Sequence, residues 1–335
     1  MQPIRTRLAI AVVVFGALLL GALAFAPLVG STPISLARVF DRSVPFADNL
    51  DAQIFFIARL PRVVAAALIG ASLAAAGAVF QALLRNPLAT PDTLGVSSGA
   101  ALGAMLAITF HLDFSVSGLP AIPLASFAGS LCALGVVYAL ATGRRRGLST
   151  TVLLLAGVTM TGFLSALTLF IQYLADFTAT FRTVRWLMGS LDIGSYGPIL
   201  TVLPMLTVAF GMFAALPRPL DLISLGADAA AARGVNVPRA ERSALISASL
   251  ATGAAVSIGG PISFIGLVVP HLVRLFVGSD HRLVLPSSAL FGAVFLIVCD
   301  LVARTAFAPI ELPVGIITAV IGGPFFLWLL TRASR

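Results

Sequence analysis

Ten long apolar runs, broken by charges or by Pro/Gly clusters, dominate the chain: residues 8–29, 61–84, 93–110, 122–142, 150–174, 197–216, 241–260, 262–278, 284–303 and 312–331. A run of roughly 20 apolar residues matches the ~30 Å hydrocarbon layer of a bilayer. In lipid only helices and closed barrels satisfy their own backbone, and runs of this length are helices. Hydrophobic residues make up 59% of the chain and charged residues 10%. A soluble domain carries roughly 25% charge, so a soluble enzyme is excluded. A disordered chain is excluded too, because disorder needs low hydrophobicity and high charge. The expected fold is an all-α polytopic membrane protein with about ten transmembrane helices, a single domain over 1–335. The first run, preceded by Arg5 and Arg7, reads as an uncleaved first helix. The eighth is short, Gly/Pro-rich and bounded by Pro261 and Pro270, so it is expected to be broken or only partly embedded.

The net charge is +8, and all 21 basic residues are arginine. A P-loop reaches the β/γ-phosphates with a lysine, so any nucleotide that drives this chain sits on another polypeptide. Placed against the ten runs with the N-terminus inside, the arginines concentrate on the inner side, which supports cytoplasmic N- and C-termini and makes nucleic-acid binding unnecessary. Seven arginines fall outside: Arg38, Arg42, Arg59, Arg62, Arg182, Arg185 and Arg304.

The third run carries Gly95, Gly99 and Gly103, the small-residue spacing that lets helices approach closely in lipid. Pro61-Arg62 leads into 67–74, and Pro238-Arg239 leads at the same spacing into the similar 244–251. The two segments run in opposite directions in the ten-span topology, a candidate inverted repeat of the transporter kind. Cys132 and Cys299 lie in apolar runs without metal-ligand spacing and read as small core residues.

Few polar groups stand out. Asn86 and Asp92 suit the turn of the Pro-containing loop 84–92, and Ser149 to Thr151 suits a helix N-cap. The longest inner loop, 217–242, brackets an Ala-rich stretch with Gly226 and Gly234, which predicts a short helix outside the membrane. Asp300 precedes Arg304 by four residues, the spacing of a helical ion pair. His111 and His281 fall in loops. No catalytic group, metal-ligand cluster or intramembrane proton relay is found. An ion-coupled secondary carrier and an intramembrane enzyme are the competing classes, and both lack their residues.

Four segments together are distinctive: Arg59-Leu60-Pro61-Arg62; Asn86-Pro87-Leu88-Ala89 with Leu94-Gly95-Val96; 264–271, ending Val269-Pro270-His271; and Glu311-Leu312-Pro313-Val314-Gly315. In this order and spacing they resemble the FecCD-type permeases, the membrane subunits of ABC importers for iron–siderophore complexes, haem and vitamin B12. The resemblance implies a ten-helix, vitamin B12 importer permease-like subunit of the bacterial inner membrane. It implies a homodimer with two ATP-binding-cassette ATPase subunits inside and a periplasmic or lipid-anchored substrate-binding protein outside. No cofactor or metal is implied. Matching positions suggest a gate and pathway at Asn86, Leu88, Thr150 and Thr151, with Thr151 where the vitamin B12 permease has serine. They suggest ATPase coupling through Leu225, Gly226, Ala227, Arg233 and Gly234, and binding-protein docking on a charged rim of Arg59, Arg62 and Arg304.

Overall fold

The computed structural model describes residues 3–112, 114–116, 119–142 and 149–333. It is helical apart from a two-residue antiparallel pairing of Ser115–Val116 with Leu119–Pro120. In chain order the helices are α1 (Ile4–Phe25), α2 (Leu36–Val39), α3 (Leu50–Gln53), α4 (Leu60–Leu83), α5 (Val96–Thr109), α6 (Ala121–Thr142), α7 (Thr150–Leu174), α8 (Phe177–Leu187), α9 (Gly197–Ala214), α10 (Pro217–Ser224), α11 (Ala227–Ala232), α12 (Val237–Gly259), α13 (Ile265–Val277), α14 (His281–Thr305) and α15 (Val314–Ala333). Each apolar run holds one long helix: α1, α4, α5, α6, α7, α9, α12, α13, α14 and α15. Six of these stretches, those containing α1, α4, α6, α7, α9 and α14, are long and apolar enough to cross a bilayer on that criterion alone.

The ends differ from the hydropathy limits for local reasons. The run expected from 241 starts at Val237, because the Asn236 side chain accepts from the Arg239 N–H at 3.1 Å and Pro238 fits the first turn. The run expected from 93 starts at Val96, after a 3-10 turn at Pro91–Leu94 and Gly95 in the left-handed region at φ 76°. Asp92 is therefore no N-cap of α5. At 13 residues α13 is about 20 Å long, short of a full crossing. The segment before it is non-helical, with Gly260 at φ 68° and Phe264 at φ 69°. Irregular backbone at such depth is tolerated where protein covers it. Pro270, expected to bound this segment, instead lies buried inside α13.

The core is organised around α4, which is buried along most of its length. Close approach needs glycine here: a Cβ at Gly70 would run into the Gly292 carbonyl of α14, and one at Gly77 into Gly266 of α13. Gly99 and Gly103 do the same for α5 against Gly129 and Ala125 of α6. Gly95, the first of the GxxxG series, serves the left-handed turn and stands outside the helix. Cys299 is buried as expected; Cys132 is exposed on α6 and is not a core residue. At the periphery α1 buries only Ala11 and Phe15. The outward face of α7 is also open, with Leu155, Val158, Phe163, Leu169 and Phe170 exposed.

Candidate functional site at the two ends of the bundle

One end of the bundle gathers the C-terminus of α1, the N-terminus of α4, the C-terminus of α14 and the segment leading into α15. Arg62 joins them: its Nε donates to Asp300 at 2.9 Å and its Nη1 to Glu311 at 2.5 Å. Asp300 is fully buried and also faces Arg304 at 3.5 Å, the expected i,i+4 pair. Arg304 donates to the Ala26 carbonyl at 2.7 Å. Arg59 donates to the carbonyls of Pro27 and Leu28, each at 3.1 Å, and to that of Thr32. The free carbonyls at a helix C-terminus carry partial negative charge, so two guanidinium groups hold the exit of α1.

The three arginines of the expected rim are largely covered. Arg59 is 6% and Arg304 is 3% exposed; desolvated cations must be paired, and here carbonyls and one carboxylate take that role. Arg62 is mostly covered as well, while its partner Glu311 reaches solvent. The exposed arginines of the supposed outer group are Arg38, Arg42, Arg182 and Arg185, the last paired with Asp192 at 3.0 Å.

The opposite end gathers the N-termini of α1, α12 and α14 and the C-termini of α4, α6 and α13. Proline at 270 has no N–H to give the carbonyl four residues back, that of Gly266. The Gln81 Nε2 donates to that oxygen at 3.0 Å, and the Gln81 Oε1 accepts from Arg274 at 2.5 Å. A single buried amide thus repairs the proline break in α13 and anchors an arginine. Sequence reasoning missed Gln81; its signal was a lone amide in an apolar run. Arg7 donates to the Val277 carbonyl at 2.7 Å, and Arg242 to the Tyr138 hydroxyl at 3.2 Å.

The loop 217–242 folds as two helices. The second, α11, matches the Ala-rich expectation; α10 was not expected. Gly226, at φ 122° and ψ 147°, sits between them, and Gly234 at φ 82° ends the unit. Ile223, Ala230, Val237 and Ala240 form a small core of their own under α11. Leu225 is 66% exposed, Ala227 and Gly226 are half-buried, and Arg233 and Gly234 are exposed. A groove beside the unit is lined by Arg218, Arg233 and Arg239. The unit is tied to the bundle by Asp221, which accepts from the backbone N–H of His281 at 3.0 Å and lies 2.6 Å from its Nδ1. His281, expected in a loop, opens α14, capped by Asp280. The hydrogen bond from Arg282 holds the Asp280 carboxyl below its ordinary range.

Asn86 makes the expected turn, its Oδ1 accepting from the Leu88 N–H at 2.9 Å, and Leu88 is 42% exposed. Ser149 caps α7, accepting from Val152 N–H at 3.4 Å; Thr150 is half-buried and Thr151 exposed. Downstream of Asn86 and Leu88, the turn at 91–95 packs on α7 around Gly157 and Met160, and the Thr161 hydroxyl donates to the Asp92 carbonyl at 3.3 Å. Burial pushes the Asp92 carboxyl above the usual range, against the pull of its hydrogen bond from Ser97. Arg144, Arg145 and Arg146, counted among the arginines of the inner side, lie outside the described residues.

Among the described residues no His/Cys/Asp/Glu group could hold a metal. The ten long helices thus form one bundle, with the Arg62–Asp300–Glu311 ion pairs at one end and the two-helix 217–242 unit at the other. The sequence matches the FecCD transport family over residues 17–332, and the chain belongs to that family. It is 46% identical to the cobalamin import system permease protein BtuC of Halobacterium salinarum, over 81% of this chain and 72% of that one. It is 40% identical to the hemin transport system permease protein HmuU of Yersinia pestis, over 82% of each chain. A structure described as an inward-facing metal-chelate type ABC transporter superposes with TM-score 0.81 at 32% identity, over 95% of this chain and 97% of that one. The chain is an ABC transporter permease.

Proposed function

We propose that this chain, one domain over 1–335, is half of a homodimeric importer permease that moves an iron chelate, an iron–siderophore complex first, across the bacterial inner membrane by alternating access. The observation that carries this reading is the family match over nearly the whole chain, joined to the same ten-helix fold in a metal-chelate type transporter. Haem and cobalamin are the alternatives, favoured by the hemin and cobalamin relatives respectively. The chain does no chemistry of its own. Two ATP-binding-cassette ATPases supply the energy from the cytoplasmic side, where both termini lie. A periplasmic or lipid-anchored binding protein delivers the substrate.

Physical features support each role. The 217–242 unit has its own small core, an exposed Leu225 and three arginines beside it, which suits a helix lodged in a partner's groove. We assign coupling to Leu225, Gly226, Ala227, Arg233 and Gly234. The Asp221–His281 contact would carry movement of this unit into α14. Asn86 and Leu88, with Thr150 and Thr151 on α7, would form the gate, small hydroxyls and one apolar side chain closing a path without holding substrate tightly. The open apolar face of α7 suits the second copy. At the other end, docking would run through Arg62, with Glu311 holding its outward N–H groups until an acidic partner group replaces it. Arg59 and Arg304 act behind it, fixing the exit of α1.

The substrate is tested by absorption spectroscopy on the cognate binding protein. An iron–siderophore charge-transfer band is expected; a Soret band selects haem, a corrin spectrum selects cobalamin, and a protein that binds none of the three rejects the importer assignment.

A further inference from the structure

A cleft of about 480 Å³ lies between the peripheral helix α1, the C-terminal end of α13 and the middle of α14, and none of the roles above uses it. One wall is a single face of α1, Ile10, Val14 and Leu18, at the spacing that aligns side chains along a helix. The other wall is Phe276 of α13 and Phe291 of α14, with the Phe291 ring tilted at 50° against Phe15, centroids 5.6 Å apart. Arg7 closes one end.

We propose that this cleft binds a phospholipid with an anionic headgroup, its acyl chain along α1 and its phosphate at Arg7. Three observations point to that occupant. Ala11 and Phe15 at its floor are buried, while Ile10, Val14 and Leu18 at its rim stay about half exposed, so the bilayer itself is its continuation. From Arg7 to Leu18 is 11 residues, about 16 Å of helix, which is about half of the ~30 Å hydrocarbon layer; an acyl chain of one leaflet fits that length. The charge is complementary as well. Arg7 gives one N–H to the Val277 carbonyl and keeps the rest of its five donors. Arg5 is exposed one residue beyond Thr6. The ion pairs of the described residues involve Arg62, Arg185, Arg282 and Arg304, and neither Arg5 nor Arg7. Basic pockets between spans at the headgroup level bind acidic lipid.

The molecule supplies its own control. A second apolar cleft flanks α1, lined by Leu8, Phe210, Phe213 and Pro286 and also ending in an arginine, Arg282. There the cation is already neutralised by Asp280 at 2.8 Å, so lipid should enter without charge preference.

The test is native mass spectrometry of the full chain, purified in detergent and offered equal phosphatidylglycerol and phosphatidylcholine. Phosphatidylglycerol should be retained in preference, the preference should fall at least fivefold in Arg7→Ala, and it should persist in Arg7→Lys and in Arg282→Ala. Because Arg7→Ala also uncaps α13, Val14→Trp provides a second arm: it fills the cleft away from Arg7 and should displace lipid of both kinds. Equal retention of the two lipids by the unaltered chain, an undiminished preference in Arg7→Ala, or loss of dimer without loss of lipid in Val14→Trp overturns the proposal.

Discussion

The two ends of the bundle solve the same problem, a buried arginine, in different ways. At the Arg62 end the cations meet carboxylates: Asp300 lies between Arg62 and Arg304, and Glu311 covers Arg62 from outside. At the Gln81 end the half-buried Arg274 meets an amide oxygen, and the exposed Arg7 a backbone carbonyl. A buried ion pair is rigid, because removing one partner strands the other charge in a low-dielectric interior. A neutral acceptor holds its cation less firmly and carries no charge to strand. The Arg62 end is thus the fixed frame. At the Gln81 end, where the 217–242 unit is attached through Asp221 and His281, the charged pairs are the partly exposed Asp221–His281 and Asp280–Arg282, and this end is expected to yield first.

Breaking the frame should cost most. Asp300→Ala leaves Arg62 and Arg304 facing each other without their shared carboxylate, an expected loss of about 3–5 kcal/mol, read as a large fall in thermal midpoint in detergent. A loss no greater than that of an exposed substitution would remove the contrast. Next comes Gln81→Leu, which strips the Gly266 carbonyl and Arg274 of their partner, about 1–3 kcal/mol. If the ends differ as described, thermal midpoints should rank the two variants in that order. Gly226→Ala places a side chain at a backbone angle that favours glycine, about 1–3 kcal/mol locally. Since α11 rests on its own small core, the bundle's midpoint should hold while permease-stimulated ATP hydrolysis falls several-fold; a parallel fall of both would make the unit an integral part of the bundle. The smallest effect is expected at Glu311→Gln. It removes a partly exposed ion pair worth about 0.2–1 kcal/mol, and should tighten binding-protein docking about two- to fivefold. The gain should vanish in an Arg62→Gln background, and should not appear in Asp48→Asn, which removes the same charge from an unpaired exposed site.

The ten spans were legible because the hydrophobic length criterion is local. The Gly226 and Gly234 brackets were legible for the same reason, since both adopt positive φ. Long-range pairing was not. Arg62 and Glu311 are 249 residues apart, so sequence could find the charges but not their burial, and it read Arg59 and Arg304 as a rim. The proline signals were ambiguous in kind. The loop expected from 217 instead opens with a helix: Pro217 stands in the first turn, where proline starts a helix, and α10 begins there. Pro270 read as a boundary because nothing nearby in sequence replaces its missing donor; the replacement, Gln81, is 185 residues from the Gly266 carbonyl that it satisfies.

The account stands on energy entering through the 217–242 unit from a separate ATPase. Its most direct test is substrate uptake into vesicles holding the permease dimer, its ATPase and its binding protein. Uptake should require ATP, stop with a hydrolysis-dead ATPase, and fall sharply in Gly226→Ala. Uptake that continues with the hydrolysis-dead ATPase, or that follows an ion gradient instead, would contradict it.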